Sequence, residues 1–312
     1  MLLYCNMTWF FIALGAPFLW ALVNIADQYL ISKYSDRAKE HSSGGLVLFS
    51  SLIGIFIAVF IYIFVDNVFI VSNKDILILG LTGLMTVIWI ILYLYALEIE
   101  EVSSVAPWFL TVPMFGYLFG YIFLGETLSL NQIIGGIIIV AGIILLSIDF
   151  SKEKKRIKHK PIIYMLIACV LVALSGILFK YVTIENNFWV SSFWEYAGLG
   201  LTGLVIYIFV PKYRREFMHM NNTGGRKIFF VNTLSELATI SGNLMTNFAL
   251  LLAPVTMVYL VGSFQPAIVL GLTLLGTRFL PNIVKENLSR RVLIPKIVAI
   301  IVMILGSIFL FV

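Results

Sequence analysis

Charge is scarce in this 312-residue chain. Only 12% of its residues are Asp, Glu, Lys or Arg, against about 25% in ordinary soluble domains. Hydrophobic residues make up 61%, and the mean hydropathy is +1.02. A soluble core cannot absorb that much apolar surface, whereas a bilayer replaces water as the solvent and can. Cysteine is limited to Cys5 near the terminus and Cys169 inside an apolar run, so no disulfide framework is implied. The three histidines, His41, His159 and His219, fall between apolar runs, and no helix offers metal-ligand spacing. No P-loop or other nucleotide motif occurs, which argues against ATP hydrolysis by this chain. The formal charge of +5 is spread over connecting segments rather than gathered on a globular face, which argues against nucleic acid as a partner. Nothing in the chain calls for a cofactor.

What the sequence does hold is a series of about ten apolar stretches, each long enough to cross a hydrocarbon core of about 30 Å. They centre near Trp20, Ile55, Met85, Phe115, Ile138, Val170, Gly203, Ile240, Tyr259 and Met303. The first, from Trp9 to Ile31, has no basic residues before it and carries Asp27 near its end. At about 20 residues it suits a spanning helix better than a signal peptide. Barrel strands are about half as long and alternate strictly. The fold class expected is therefore an all-α membrane protein.

The connections carry the charge. Segments at Lys33–Lys39, Lys152–Lys160, Lys212–Lys227 and Arg278–Lys296 hold 19 of the 21 Lys and Arg. The alternate connections hold only Lys74, and Lys180 lies inside a helix. With ten spans the four basic loops share one face, expected to be cytoplasmic, and both termini point outward.

The chain also repeats itself. Ala21–Tyr29 aligns with Ala173–Tyr181, and Ile61-Tyr62-Ile63-Phe64-Val65 recurs as Ile206-Tyr207-Ile208-Phe209-Val210. Ala96, Val102 and Pro113 recur at constant offset as Ala249, Val255 and Pro266. The expected halves are residues 1–150 and 151–312, each with five spans. An odd number of spans turns the second half upside down, the inverted-repeat plan of secondary transporters.

The order of motifs resembles the drug/metabolite transporter superfamily, specifically its ten-helix EamA-like permeases. The first half carries most of the resemblance: Tyr95-Ala96-Leu97, then Val102-Ser103-Ser104-Val105-Ala106, Val112-Pro113, Leu124-Gly125-Glu126-Thr127-Leu128-Ser129, Gly135-Gly136 and Ala141-Gly142. Trp20-Ala21-Leu22-Val23-Asn24 is similar to the family's first helix. The second half keeps Phe248-Ala249-Leu250 and Gln265-Pro266, but Leu275-Gly276-Thr277-Arg278 stands where a Leu-Gly-Glu turn would be. The resemblance implies the fold and a solute carrier, without a substrate. Characterised relatives often keep both termini in the cytoplasm; the charge pattern points the other way and is followed here.

Several residues are singled out for chemistry. Asn232, Glu236, Thr239, Asn243 and Asn247 are spaced to share one helical face. A polar stripe in a membrane helix lines a cavity or bonds to neighbouring helices; the first reading makes it a solute-binding wall. Glu195, Asn24, Trp108 and Gln265 are further candidates for that site. Lys180 either pairs with Glu195 or extends to the interface. Glu126 is read as a turn residue, with Ser129–Gln132 as a capping box for the next helix. Gly116-x-x-x-Gly120 permits close helix approach. Pro107, Pro113, Pro254 and Pro266 interrupt equivalent helices as hinges or static kinks.

The function expected is a secondary transporter, not an enzyme. It would move a small organic metabolite or drug-like solute by alternating access, driven by a proton or ion gradient, by exchange, or by facilitated diffusion. The alternative is a membrane-embedded lipid-modifying enzyme, which would need a reactive cluster near the interface that the isolated histidines do not form.

Overall fold

The computed structural model describes residues 2–34, 43–99, 105–147, 159–279 and 290–311, and among them all regular structure is helical. In order, the helices are α1 (Leu2–Tyr34), α2 (Ser43–Phe64), α3 (Asn73–Ile99), a 3-10 segment (Ala106–Thr111) running into α4 (Val112–Leu124), and α5 (Leu130–Ser147). There follow α6 (His159–Thr183), α7 (Phe188–Phe209), α8 (Pro211–Leu252), α9 (Val255–Gly262), α10 (Gln265–Phe279) and α11 (Arg290–Ile308). Ile- and Val-rich runs are indifferent helix formers in water. In lipid the backbone must satisfy itself, and a helix is the local way to do so.

Five stretches are long and apolar enough to cross a membrane: Ser43–Phe64, Asn73–Ala96, His159–Thr183, Phe188–Phe209 and Val255–Leu272. Shorter apolar helices cover Met7–Val23, Trp108–Leu124, Leu130–Gly142 and Leu293–Ile308. Phe56, Ile63, Leu77 and Phe209 point outward and are largely exposed. Such side chains would drive aggregation in water and are the ordinary outer surface of a protein in lipid.

The local punctuation behaves as its residue types require. Gly125 ends α4 in the left-handed region at φ +63°, where an L side chain is strained. Ser129 and Gln132 bond reciprocally at 2.9 and 3.2 Å to start α5, the capping box read from the sequence. α2 and α7 both stop at the Phe of the repeated Ile-Tyr-Ile-Phe-Val word. Pro113 and Pro266 do not kink a continuous helix. Each is the second residue of a new one, α4 after the 3-10 segment and α10 after the Ser263-Phe264 turn. There the missing N–H leaves no intrahelical bond unmade.

α8 departs from the expectation. The basic stretch Lys212–Lys227 was expected as a loop, yet the helix runs through it for 42 residues in all. That is about 63 Å at 1.5 Å per residue, roughly twice a hydrocarbon core. Glu216 accepts the Gly44 amide N–H at 2.9 Å, and Glu236 accepts the Ser50 hydroxyl. Those partners lie about 9 Å apart on α2, whereas Glu216 and Glu236 would be about 30 Å apart on a straight helix. Two side chains cannot span the difference, so α8 bends between them, in a stretch holding Gly224-Gly225. His219 therefore lies inside a helix and His159 begins one; His41 lies outside the described residues.

Packing is organised across the middle of the chain. The extensive helix pairs are α3–α6, α1–α8, α5–α11, α2–α7, α3–α7, α2–α8 and α4–α6, with α1 and α4 also against the α9–α10 unit. Every one joins a helix before residue 150 to a helix after it. The connections sort to two ends. At one, Trp194 Nε1 donates to the Val68 carbonyl at 2.9 Å and Asn186 Nδ2 to Asp75 at 3.3 Å. At the other, Ser43 donates to Glu98 at 2.5 Å, and the Tyr95 and Tyr213 hydroxyls meet at 2.5 Å.

Candidate functional site

The α8 stripe is the natural starting point. Its spacing keeps the five residues on one face, but they do not share one environment. Glu236 reaches α2 through Ser50. Thr239 returns its hydroxyl to the Ser235 carbonyl of its own helix at 3.1 Å. Asn232 is buried and Asn243 half-buried. Asn247 Nδ2 donates to Glu195 Oε2 of α7 at 2.8 Å, which brings together two residues chosen independently from the sequence. Gln265 opens α10 just after the helix break and is half-buried. Trp108 lies in the 3-10 segment, in the same apolar cluster as Tyr259, and its carbonyl accepts from Thr111 Oγ1 at 2.8 Å and Cys169 Sγ at 3.2 Å. The Asn24 side chain lies outside the described residues.

α7 brings Glu195 into the bundle through small residues. A Cβ on Gly83 of α3 would fall 2.5 Å from the Glu195 carbonyl oxygen, so the two backbones nearly touch there. One turn earlier, Ser191 and Ser192 are fully buried, and neither hydroxyl oxygen has a hydrogen-bond partner among the described residues. Such groups are rare, and each needs a reason. Tyr259 of α9 stands within electrostatic reach of Glu195 and donates to the Val172 carbonyl at 3.1 Å. Two clefts of about 610 and 410 Å³ open near the 65–72 and 184–190 segments, lined by Ile70, Glu185 and Asn186 among others. Neither contains a residue of the expected site.

One cluster escaped the sequence reading. Lys180 pairs with Glu126, not with Glu195: Lys180 Nζ lies 2.6 Å from Glu126 Oε1 and donates to the Ala253 carbonyl at 2.8 Å. Glu126 Oε2 accepts the Val255 amide N–H at 2.8 Å, at the first residue of α9. Gly120 makes room for that carboxylate, since a Cβ there would sit 3.0 Å from Glu126 Oε2, and Gly116 makes room for the Tyr259 ring. The G-x-x-x-G spacing thus admits two side chains. The sequence held the signal: the alternation of spans expected from it puts the 125–129 turn and the end of α6 at the same end of the bundle.

The sequence pattern of the EamA-like transporter family matches residues 7–148, from α1 to the end of α5. The chain belongs to the EamA-like transporter family. An uncharacterized protein of Methanocaldococcus jannaschii is 34% identical over 99 residues, which make up 32% of this chain and 72% of that one. A crystal structure whose description names no activity superposes with a TM-score of 0.70 at 13% identity, covering 97% of this chain and 96% of its own. That likeness establishes a shared fold.

Membership makes this EamA-like transporter a multi-pass membrane protein of the drug/metabolite transporter superfamily. The match ends where the basic linker begins, so the second half, with Glu195, the α8 stripe and Lys180, lies outside it. Among the described residues no group of three or more His, Cys, Asp or Glu is placed to hold a metal ion.

Proposed function

We propose that this transporter moves a small organic solute by alternating access, binding it around Glu195 and Asn247, where α7 and α8 of the second half meet. The observation that carries this reading is the Glu195–Asn247 pair itself. It is a carboxyl group inside a membrane span whose described partner is a neutral amide, with two unsatisfied serine hydroxyls one turn away. Ionisable groups within spans are costly and concentrate at functional sites. The other residues proposed from the sequence for this site are Asn232, Glu236, Thr239 and Asn243 of the stripe, with Asn24, Trp108 and Gln265. Amino acids, nucleobase-like metabolites and amphipathic drugs all suit a site with one acid, amides and aromatic faces. A proton or ion can supply the coupling.

The packing supports two inverted five-helix repeats, residues 1–150 and 151–312. Count the 3-10 segment with α4, and α9 with α10, as one span each. Exchanging each span with its counterpart then maps α1–α8 onto α3–α6, α3–α7 onto α2–α8, and α4–α6 onto α1 with α9–α10. The pairs α2–α7, α5–α11 and α4–α9 map onto themselves. Approximate twofold exchange of this kind is what lets two near-equal conformations interconvert.

A thermal-shift screen of purified protein against a metabolite panel tests the function: a ligand that binds the folded state raises its unfolding temperature. Once a ligand is found, Glu236→Gln is expected to slow its uptake severalfold at normal protein yield. Uptake unchanged from the parent would return the stripe to helix–helix hydrogen bonding.

Orientation is tested separately. Single cysteines replacing Lys155 and Asn186, in a background with Cys5 replaced by Ser, should label from opposite sides, with position 186 reached from outside intact cells. Labelling of position 155 by an impermeant reagent in intact cells would reverse the proposed cytoplasmic placement of the basic loops and the outward termini.

A further inference from the structure

We infer that Glu126, Lys180 and the α8–α9 junction form a polar latch that holds one end of the bundle shut and opens in each transport cycle. The inference builds on the alternating-access reading. The two halves meet throughout the bundle, but here a carboxylate of the first half is held by two donors of the second, Lys180 Nζ and the Val255 N–H, and Lys180 is anchored in turn on the Ala253 carbonyl. Glu126 comes from the α4–α5 turn. Lys180 comes from the last turn of α6, and Ala253 and Val255 flank the break between α8 and α9.

The clasp is matched in polarity. The carboxylate faces the amide N–H at the start of α9, where the helix dipole is positive, and the ammonium faces a carbonyl just past the end of α8, where it is negative. Lys180 is only 8% exposed. A desolvated pair of this kind is costly to break by removing one partner, because the other is left buried and uncompensated. The same pair separates readily when both partners reach water together. That asymmetry suits a contact that must hold in one state and release in another. Lys180 also lies at the end of the bundle that carries the 65–72 and 184–187 turns, where opening would hydrate both partners.

Native Cys169 supplies the probe. It is fully buried on α6, about 16 Å from Lys180 along the helix, with its thiol against the Trp108 carbonyl of the first half. In the full chain with Cys5 replaced by Ser, alkylation of Cys169 by an impermeant thiol reagent is measured from the Asn186 side. Glu126→Gln and Lys180→Met are each expected to speed it at least fivefold. Glu126→Gln preserves shape, so it decides the matter if Lys180→Met fails to fold. Rates in both folded variants within twofold of the parent would overturn the latch. The exchanged pair, Glu126→Lys with Lys180→Glu, is expected to stay fast, because it sets an ammonium against an N–H and a carboxylate against a carbonyl. Restoration of the parental rate by that exchange would overturn the role given to Val255 and Ala253. No solute enters this measurement. A null result therefore counts against the latch, whereas failure to find any ligand or uptake counts against the transport reading.

Discussion

Glu195→Gln is expected to lower transport at least tenfold while protein yield and unfolding temperature stay near those of the parent. The substitution keeps the side chain's length and an oxygen for Asn247 Nδ2, which now reaches Glu195 Oε2 at 2.8 Å. It removes the group's ability to ionise and to carry a proton. A tenfold loss corresponds to about 1.4 kcal/mol of interaction made during the transport step. One charge-assisted hydrogen bond is worth roughly 1.5–3 kcal/mol, so losing one such contact with a solute or coupling cation suffices. Asn247→Leu tests the same site from the other side. It strands the carboxyl group against an apolar neighbour and is expected to damage stability as well as transport. The measurement is initial uptake of the screened solute into proteoliposomes, with thermal unfolding of the same preparations. Parental uptake by Glu195→Gln would remove Glu195 from the site and leave the pair as packing.

Gly83→Val and Gly198→Val are each expected to eliminate folded, monodisperse protein. A Cβ on Gly83 would lie 2.3 Å from the Leu199 nitrogen and 2.7 Å from the Gly198 carbonyl carbon. A Cβ on Gly198 would lie 2.6 Å from Gly80 Cα and 2.6 Å from its carbonyl oxygen. These are backbone atoms, so no rotamer change relieves the clash and α3 must lift away from α7. Ordinary overpacking costs about 1–3 kcal/mol; here the displaced surface is a whole helix crossing, which carries Glu195. Gly80 supplies the control within the same crossing. Nothing lies within 4 Å of a Cβ built there, and Ala is a better helix former than Gly by about 1 kcal/mol. Gly80→Ala should therefore match or exceed the parental unfolding temperature. Gly83→Ala behaving like Gly80→Ala would show that the helices do not approach this closely.

What the sequence disclosed were the features set by neighbours along the chain. Span positions follow from runs of apolar residues. The turn at Gly125 and the cap at Ser129 follow from residue types that only those backbone shapes favour. The shared face of Glu236 and Asn247 follows from helical period. The partners of those residues were not legible, because Ser50 and Glu236, or Glu126 and Lys180, are joined by packing and not by spacing. Lys180 illustrates this well: helix direction alone put both Glu126 and Glu195 within plausible reach, and only the close passage of α4 along α6 selects the first. The continuation of α8 through Lys212–Lys227 was hidden for a different reason. Charge and a Gly-Gly pair read as a loop, yet Lys and Arg are good helix formers. Glu216 then fixes that segment to the start of α2.

The placement of every extensive helix contact between the halves has a consequence for biosynthesis. The helices before residue 150 leave the ribosome and enter the bilayer before any of their principal neighbours exist. Until α6 follows, Glu126 has no lysine; until α8 follows, Ser50 has no glutamate, and α1 has no helix to lie against. The nascent first half is therefore a set of inserted but unassembled helices, and compaction waits for translation of the second. A chain terminated after residue 150 should be cleared by membrane quality control, and the two halves should accumulate only when synthesised together.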